Sequence, residues 1–272
     1  MKLLFAKSMW EASHLALSQF LSLVRDEGYD ATELYLPGRT ETSDELRALH
    51  EGKGLQLLAQ ASTSGHTLAE HLESLETWYR KGVAAKAIAV NFHTGSDCFS
   101  IADNTALFRR AVQLEQECGV PLLHETHRGR ALFSATGTCS YLEAVPGMRL
   151  TLDLSHWFCV HESDLTNQEE NLTAAIRASH HVHARVGHSE GPQLPAPHHA
   201  SAKGWLERHE ALWERVIAAR KEEGAAFLTF TPEWGPPPYM PVDPTTGEAV
   251  ANAWDVNRWM HARLLDRFGR FP

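Results

Sequence analysis

The sequence predicts an α/β protein built as a closed barrel of eight parallel strands, each followed by a helix. Three observations lead there. Eight short apolar or β-branched runs alternate with longer amphipathic stretches along the chain. The segment after the first run reads KSMWEAS, without the glycine-rich loop that an open doubly wound sheet usually carries at that place. The last four runs each end in a metal-type ligand: Glu125, Asp153, His183 and Glu233. The first three of these are spaced by about one βα unit of roughly 30 residues. No Gly/Ser-rich linker interrupts the pattern, so the whole chain, 1–272, reads as a single-domain (β/α)8 TIM barrel.

The expected strands are Lys2–Ala6, Ala31–Leu36, Leu55–Ala59, Ala87–Asn91, Pro121–Glu125, Arg149–Asp153, His180–Arg185 and Ala226–Phe230. Helices fill the gaps. Glu11–Asp26 carries apolar residues at helical spacing, with Ser8 and Glu11 in capping-box register. Short helices are expected near Ser43–His50 and Cys139–Val145. Leu68–Lys81 follows the pair Thr67 and Glu70, and Asn104–Glu117 ends at Cys118-Gly119 with Pro121 beyond. Gln168–Ala178, Trp205–Glu223 and Ala251–Phe268 complete the set. Two Pro-rich segments, Gly187–Gly204 and Pro232–Gly247, follow strands seven and eight and should lie over the C-terminal mouth.

Composition bounds the function. A 272-residue chain with 43% hydrophobic residues can fill one barrel core. Its formal net charge of −9, with no basic stripe, argues against a nucleic-acid partner. No run approaches the roughly 18 apolar residues of a membrane span. The N-terminal apolar stretch is too short for a signal peptide, and the four cysteines lack CxxC spacing. A cytoplasmic protein with reduced thiols is expected.

Residues that end successive parallel strands converge on one face. Glu125 and Glu233 each close a run that should be buried, where an unpaired carboxylate is strongly disfavoured. Either alone is satisfied by a salt bridge, for instance to Arg128 or Arg130. Together with Asp153 and His183 they make an oxygen-rich set for one divalent cation. Asp153 and His156 form D-L-S-H, in which the Asp either ligates or caps the following helix. Arg185 shares a strand face with His181 and His183, and serves either the pocket or charge neutralisation. His93 ends the fourth strand and is a pocket or a turn residue. Trp10, Trp157 and Trp234 lie just past strands, where an aromatic face suits a sugar ring or simple packing. Glu33, inside its strand, reads as a structural ion-pair member.

The order Glu, Asp-x-x-His, His, Glu on strands five to eight resembles the xylose isomerase-like barrel superfamily. That group includes ketose 3-epimerases, hydroxypyruvate isomerase, inosose dehydratase and class II apurinic endonucleases. The resemblance runs from the first strand to FTPEWG. It implies one divalent ion, commonly manganese, held by Glu125, Asp153, His183 and Glu233, with magnesium, cobalt or zinc as alternatives. It implies that Glu125 and Glu233 are the acid–base pair and that His156 meets a substrate oxygen. The implied activity is sugar epimerisation or aldose–ketose isomerisation through a metal-stabilised enediolate, with a dehydratase or lyase as the alternative. A non-catalytic sugar-binding barrel and an abasic-site endonuclease rank lower. The implied partners are a small carbohydrate and further copies of the chain, as a dimer or tetramer. Two departures stand out. The substrate-binding Arg expected six residues after the ligand His is Ser189 here. The extra metal ligands of the endonuclease branch are missing: strand three reads LLAQAST without His, and Gly187–Gly204 has no Asp.

Overall fold

The computed structural model describes residues 1–269; the last three residues of the expected domain, 270–272, lie outside the described residues. Eight parallel strands close in sequence order: β1 (Lys2–Ser8), β2 (Ala31–Tyr35), β3 (Gln56–Ser62), β4 (Ala89–His93), β5 (Leu122–Glu125), β6 (Arg149–Leu152), β7 (Ser179–His183) and β8 (Phe227–Thr231). The ring shuts where β1 pairs β8, with Leu3 beside Leu228 and Phe5 beside Phe230. Every expected strand is present, with ends shifted by a few residues.

Period-two alternation sorts each strand. One set of side chains joins the helices in the main core, which includes Phe5, Leu34, Leu57, Val90, Phe92, Leu152, Val182 and Phe230. The alternate set faces the barrel axis. Its lower layer is a small apolar cluster of Ala6, Ala31, Leu58, Ala89 and Leu123. Two residues further along the same strands come Ser8, Glu33, Gln60, Asn91 and Glu125. The barrel is therefore apolar at its base and polar at the C-terminal mouth.

The helices are α1 (Leu17–Asp26), α2 (Ser43–Glu51), α3 (Leu68–Ala84), α4 (Ile101–Cys118), α5 (Ala135–Ala144), α6 (Leu154–Val160), α7 (Glu169–Ala178), α8 (Lys203–Glu222) and α9 (Ala253–Phe268). Thr67 and Glu70 form the expected capping box on α3, and α4 ends at Gly119 in the left-handed region. The first helix departs from expectation. It starts at Leu17, and Trp10–Ala12 is a separate 3-10 turn. Ser8 stays in β1, where its hydroxyl accepts from the Trp10 amide. Glu11 pairs with Lys7 and accepts from Asn257 on α9 instead of closing a box. Helix α6 is the helix that the capping reading of Asp153 implies, although no range was expected for it: it begins directly after Asp153, whose Oδ1 caps it through the Ser155 amide at 2.9 Å.

All four cysteines are free. No helix among the described residues is long and apolar enough to cross a membrane.

Candidate active site

The polar mouth opens into a cavity of about 770 Å³. Its lining includes Glu33, Gln60, His93, Glu125, Arg185 and Glu233, with Trp10 and Tyr239 as aromatic walls. Beneath it, one donor atom from each of Glu125, Asp153, His183 and Glu233 lies within 4.8 Å of the others. All four side chains are buried.

Each donor is placed by its neighbours. His183 sets Nε2 at 3.0 Å from both Glu33 oxygens, so this edge of the ring is occupied. Its other nitrogen, Nδ1, stands 3.2 Å from Glu233 and 3.5 Å from Glu125 and makes no hydrogen bond. Glu125 Oε2 accepts from Asn91 at 3.0 Å and lies 2.9 Å from His93 Nε2. Its Oε1 is buried without a partner. Neither Arg128 nor Arg130 pairs with either glutamate: imidazoles hold Glu125, and Arg185 faces Glu233 at 3.6 Å. Asp153 divides its oxygens. Oδ1 caps α6 and accepts from the Ser155 hydroxyl, while Oδ2 receives the Arg185 guanidinium.

Electrostatics frame the same group. Burial works to raise the Glu125 and Glu33 carboxyls, but adjacent imidazoles outweigh it: His93 and His183 for Glu125, His183 and His181 for Glu33. Both carboxyls are held well below the usual range. Burial also works against a charged His183, and Glu233, Glu33 and Glu125 overcome it, so its pKa is raised well above the ordinary value. Asp153 is pushed up to about 6 by burial, with Glu233 and Glu125 adding repulsion against the pull of Arg185.

This donor set fits a hard divalent cation. Three carboxylates crowd one point, and an imidazole nitrogen and a carboxylate oxygen are buried there without hydrogen bonds. Two neighbouring groups also have metal-type composition, Glu33 with His181 and His183, and His93 with Glu125 and His127.

The other expected site residues divide. His93, Arg185 and Trp10 line the cavity. His156 lies below it, fully buried. Its Nε2 faces Arg185 at 2.7 Å, and its ring packs on His127 with centroids 4.0 Å apart. Burial first, then His127 and Arg185, hold it well below the ordinary histidine value, so it is neutral. Trp157 and Trp234 correct the expectation. Both are fully buried in the main core, with their indole N–H groups bound to the Leu132 and Leu194 carbonyls. They pack loops and do not form a cavity wall. Glu33 is the ion-pair member expected, although its partners are the two site imidazoles.

Tyr239 was missed. It sits in the Pro-rich loop after β8, with the Arg185 and Arg128 guanidinium carbons 4.9 and 5.0 Å from its ring and Trp10 edge-on at 5.0 Å. Only the position of that loop over the mouth pointed to it. Gly235 makes the wall possible, since a Cβ there would overlap the Trp10 ring.

The family model described as "Xylose isomerase-like TIM barrel" matches residues 21–232. The chain belongs to this family. No curated protein matches it. Solved structures share the fold at low identity. The probable 3-DHS dehydratase AsbF from Bacillus anthracis is 14% identical, with a TM-score of 0.64, covering 98% of this chain and 100% of that one. A sugar phosphate isomerase/epimerase from Parabacteroides distasonis is 11% identical, with a TM-score of 0.62 and coverages of 98% and 94%. A xylose isomerase-like TIM barrel protein from Mycobacterium smegmatis in complex with magnesium is 12% identical, with a TM-score of 0.63 and 96% of both chains covered.

Proposed function

We propose that this xylose isomerase-like barrel is a divalent-cation-dependent isomerase or epimerase of small sugars. One observation carries the reading: Glu125, Asp153, His183 and Glu233 converge within 4.8 Å beneath a cavity of about 770 Å³, a size that takes a small molecule. These four residues would hold the cation, manganese first and magnesium, cobalt or zinc as alternatives. When bound, the cation supplies positive charge that acidifies a carbon next to a carbonyl.

The chain's residues carry the proton. Glu125 and Glu233 enter from the ends of β5 and β8 and are the acid–base pair. One takes a proton from carbon and the other returns it. Return to the same carbon from the other face gives an epimer, and return to the adjacent carbon, with the hydroxyl proton passing to the former carbonyl oxygen, gives an isomer. His93, 2.9 Å from Glu125, orients that carboxylate. Arg185, fixed by Asp153 and by the Ser155 hydroxyl at 3.0 Å, presents charge toward substrate oxygens. Trp10 and Tyr239 offer ring faces for the C–H side of a sugar.

Loss of a leaving group after the same proton abstraction would make a dehydratase or lyase, and product mass separates the two. The test is a screen of ketoses and keto-sugars with the manganese-loaded protein in heavy water. Deuterium entering an isomer of otherwise unchanged composition supports the proposal. Full activity in Glu233→Gln would sink the two-carboxylate scheme.

A further inference from the structure

We propose that Arg130 is the anchor of an anion subsite, so that the molecule bound in this cavity carries a carboxylate or phosphate group. Its identification as substrate rests on the isomerase reading above; the subsite itself does not.

Three arginines line the cavity. Arg39 is paired with Glu41 at 3.2 Å, and Arg185 with Asp153 and Glu233. Arg130 has no carboxylate partner among the described residues. Its Nη1 donates to two backbone carbonyls instead, Thr63 at 3.1 Å and Gly95 at 3.4 Å. Arg130 is half-buried, and both of its hydrogen bonds among the described residues come from Nη1. Among the described residues, Arg130 is thus the arginine of the cavity lining that no carboxylate pairs.

Its position is built. The loops after β3, β4 and β5 are stitched together around it. The Gly95 amide donates to the Thr63 hydroxyl at 2.7 Å, the Thr63 amide to the His93 carbonyl at 3.1 Å, and the Ala131 amide to the Thr94 carbonyl at 3.1 Å. Gly95 has φ +65°, and a side chain there would overlap Asn104. The two carbonyls that hold the guanidinium thus belong to residues of one hydrogen-bonded loop cluster. A planar guanidinium held by neutral carbonyls keeps full charge and leaves donors free, which suits two oxygens of one anionic group. The same residue sits one short loop past Glu125, so the anionic group and the reacting carbons share one cavity.

The experiment is titration calorimetry at constant ionic strength with inorganic phosphate, glycolate and uncharged glycerol. Wild type, Arg130→Gln and Arg130→Lys are each tested as purified and after chelation, which separates anions held by a bound cation. The expected result is at least one anion bound about tenfold or more tighter by wild type than by Arg130→Gln in both states, with glycerol unaffected. The preferred probe tells carboxylate from phosphate. If Arg130→Gln does not fold, Arg130→Lys should still bind several-fold more weakly, because it loses the planar fork. Equal affinities in wild type and the folded variants, or no anion binding to wild type, would overturn the proposal. A protein that shows this contrast yet turns over no ketose would refute the isomerase reading alone.

Discussion

Glu33 holds His183 by one edge: both carboxylate oxygens lie 3.0 Å from Nε2, and Nδ1 is left facing Glu125 and Glu233. A carboxylate on the far nitrogen fixes tautomer and ring angle and makes the near nitrogen a better ligand. Glu33→Gln should therefore weaken divalent-cation binding by about 10–100-fold while leaving the fold intact. Competition against a fluorescent chelator measures this. Unchanged affinity would reduce Glu33 to a packing residue.

Cation binding should also release protons. With three carboxylates around it, His183 is protonated well above the usual histidine range in the cation-free protein. A ligand nitrogen must lose that proton first, so affinity should rise with pH. Calorimetric titration of manganese in buffers of different ionisation enthalpy reads the proton directly. A binding heat independent of buffer would contradict the arrangement.

The tryptophans should separate by role. Trp10 is 36% exposed on the cavity wall, whereas Trp234 is fully buried. Trp234→Ala should cost about 3–5 kcal/mol of stability in chemical denaturation. Trp10→Ala should cost far less and show its effect in substrate KM. Gly235→Ala should copy the Trp10 phenotype, because the new methyl group displaces that ring.

Acid should destabilise the fold through buried neutral histidines. His209 is fully buried against Phe158, with ring centroids 4.2 Å apart, and burial pushes its pKa from 6.5 down to about 4. The unfolded chain then binds more protons than the folded one between those pH values. Stability is complete above about pH 6.5 and falls as pH drops toward 4, by roughly 3 kcal/mol for one such group. Thermal melts from pH 7 to 4 should show this decline, shallower in His209→Gln. A flat profile would show that His209 titrates normally.

The barrel was legible because parallel strands buried on both faces read as short apolar runs, and because Glu125, Asp153 and His183 recur at the spacing of the βα unit, with Glu233 closing a later run. The convergence of those four is visible in sequence since strand ends meet by topology alone. Trp157 and Trp234 were misplaced for the opposite reason. An aromatic residue just past a strand can turn into the cavity or under a loop, and the deciding contacts, the Leu132 and Leu194 carbonyls, come from distant segments. Ligand and helix cap read as alternatives for Asp153, whereas it serves at once as cap and as site carboxylate, one oxygen for each. Arg130 and Tyr239 stand on loops whose course no periodicity describes.

The most direct test of the account is the divalent-ion content per chain, by elemental mass spectrometry, of wild type and of the double variant Glu125→Gln/Asp153→Asn after reconstitution with manganese. About one ion per wild-type chain is expected, and none in the variant. A wild type that holds no ion after reconstitution would mean that Arg185 and His183 already neutralise these carboxylates, and the functional reading would fall.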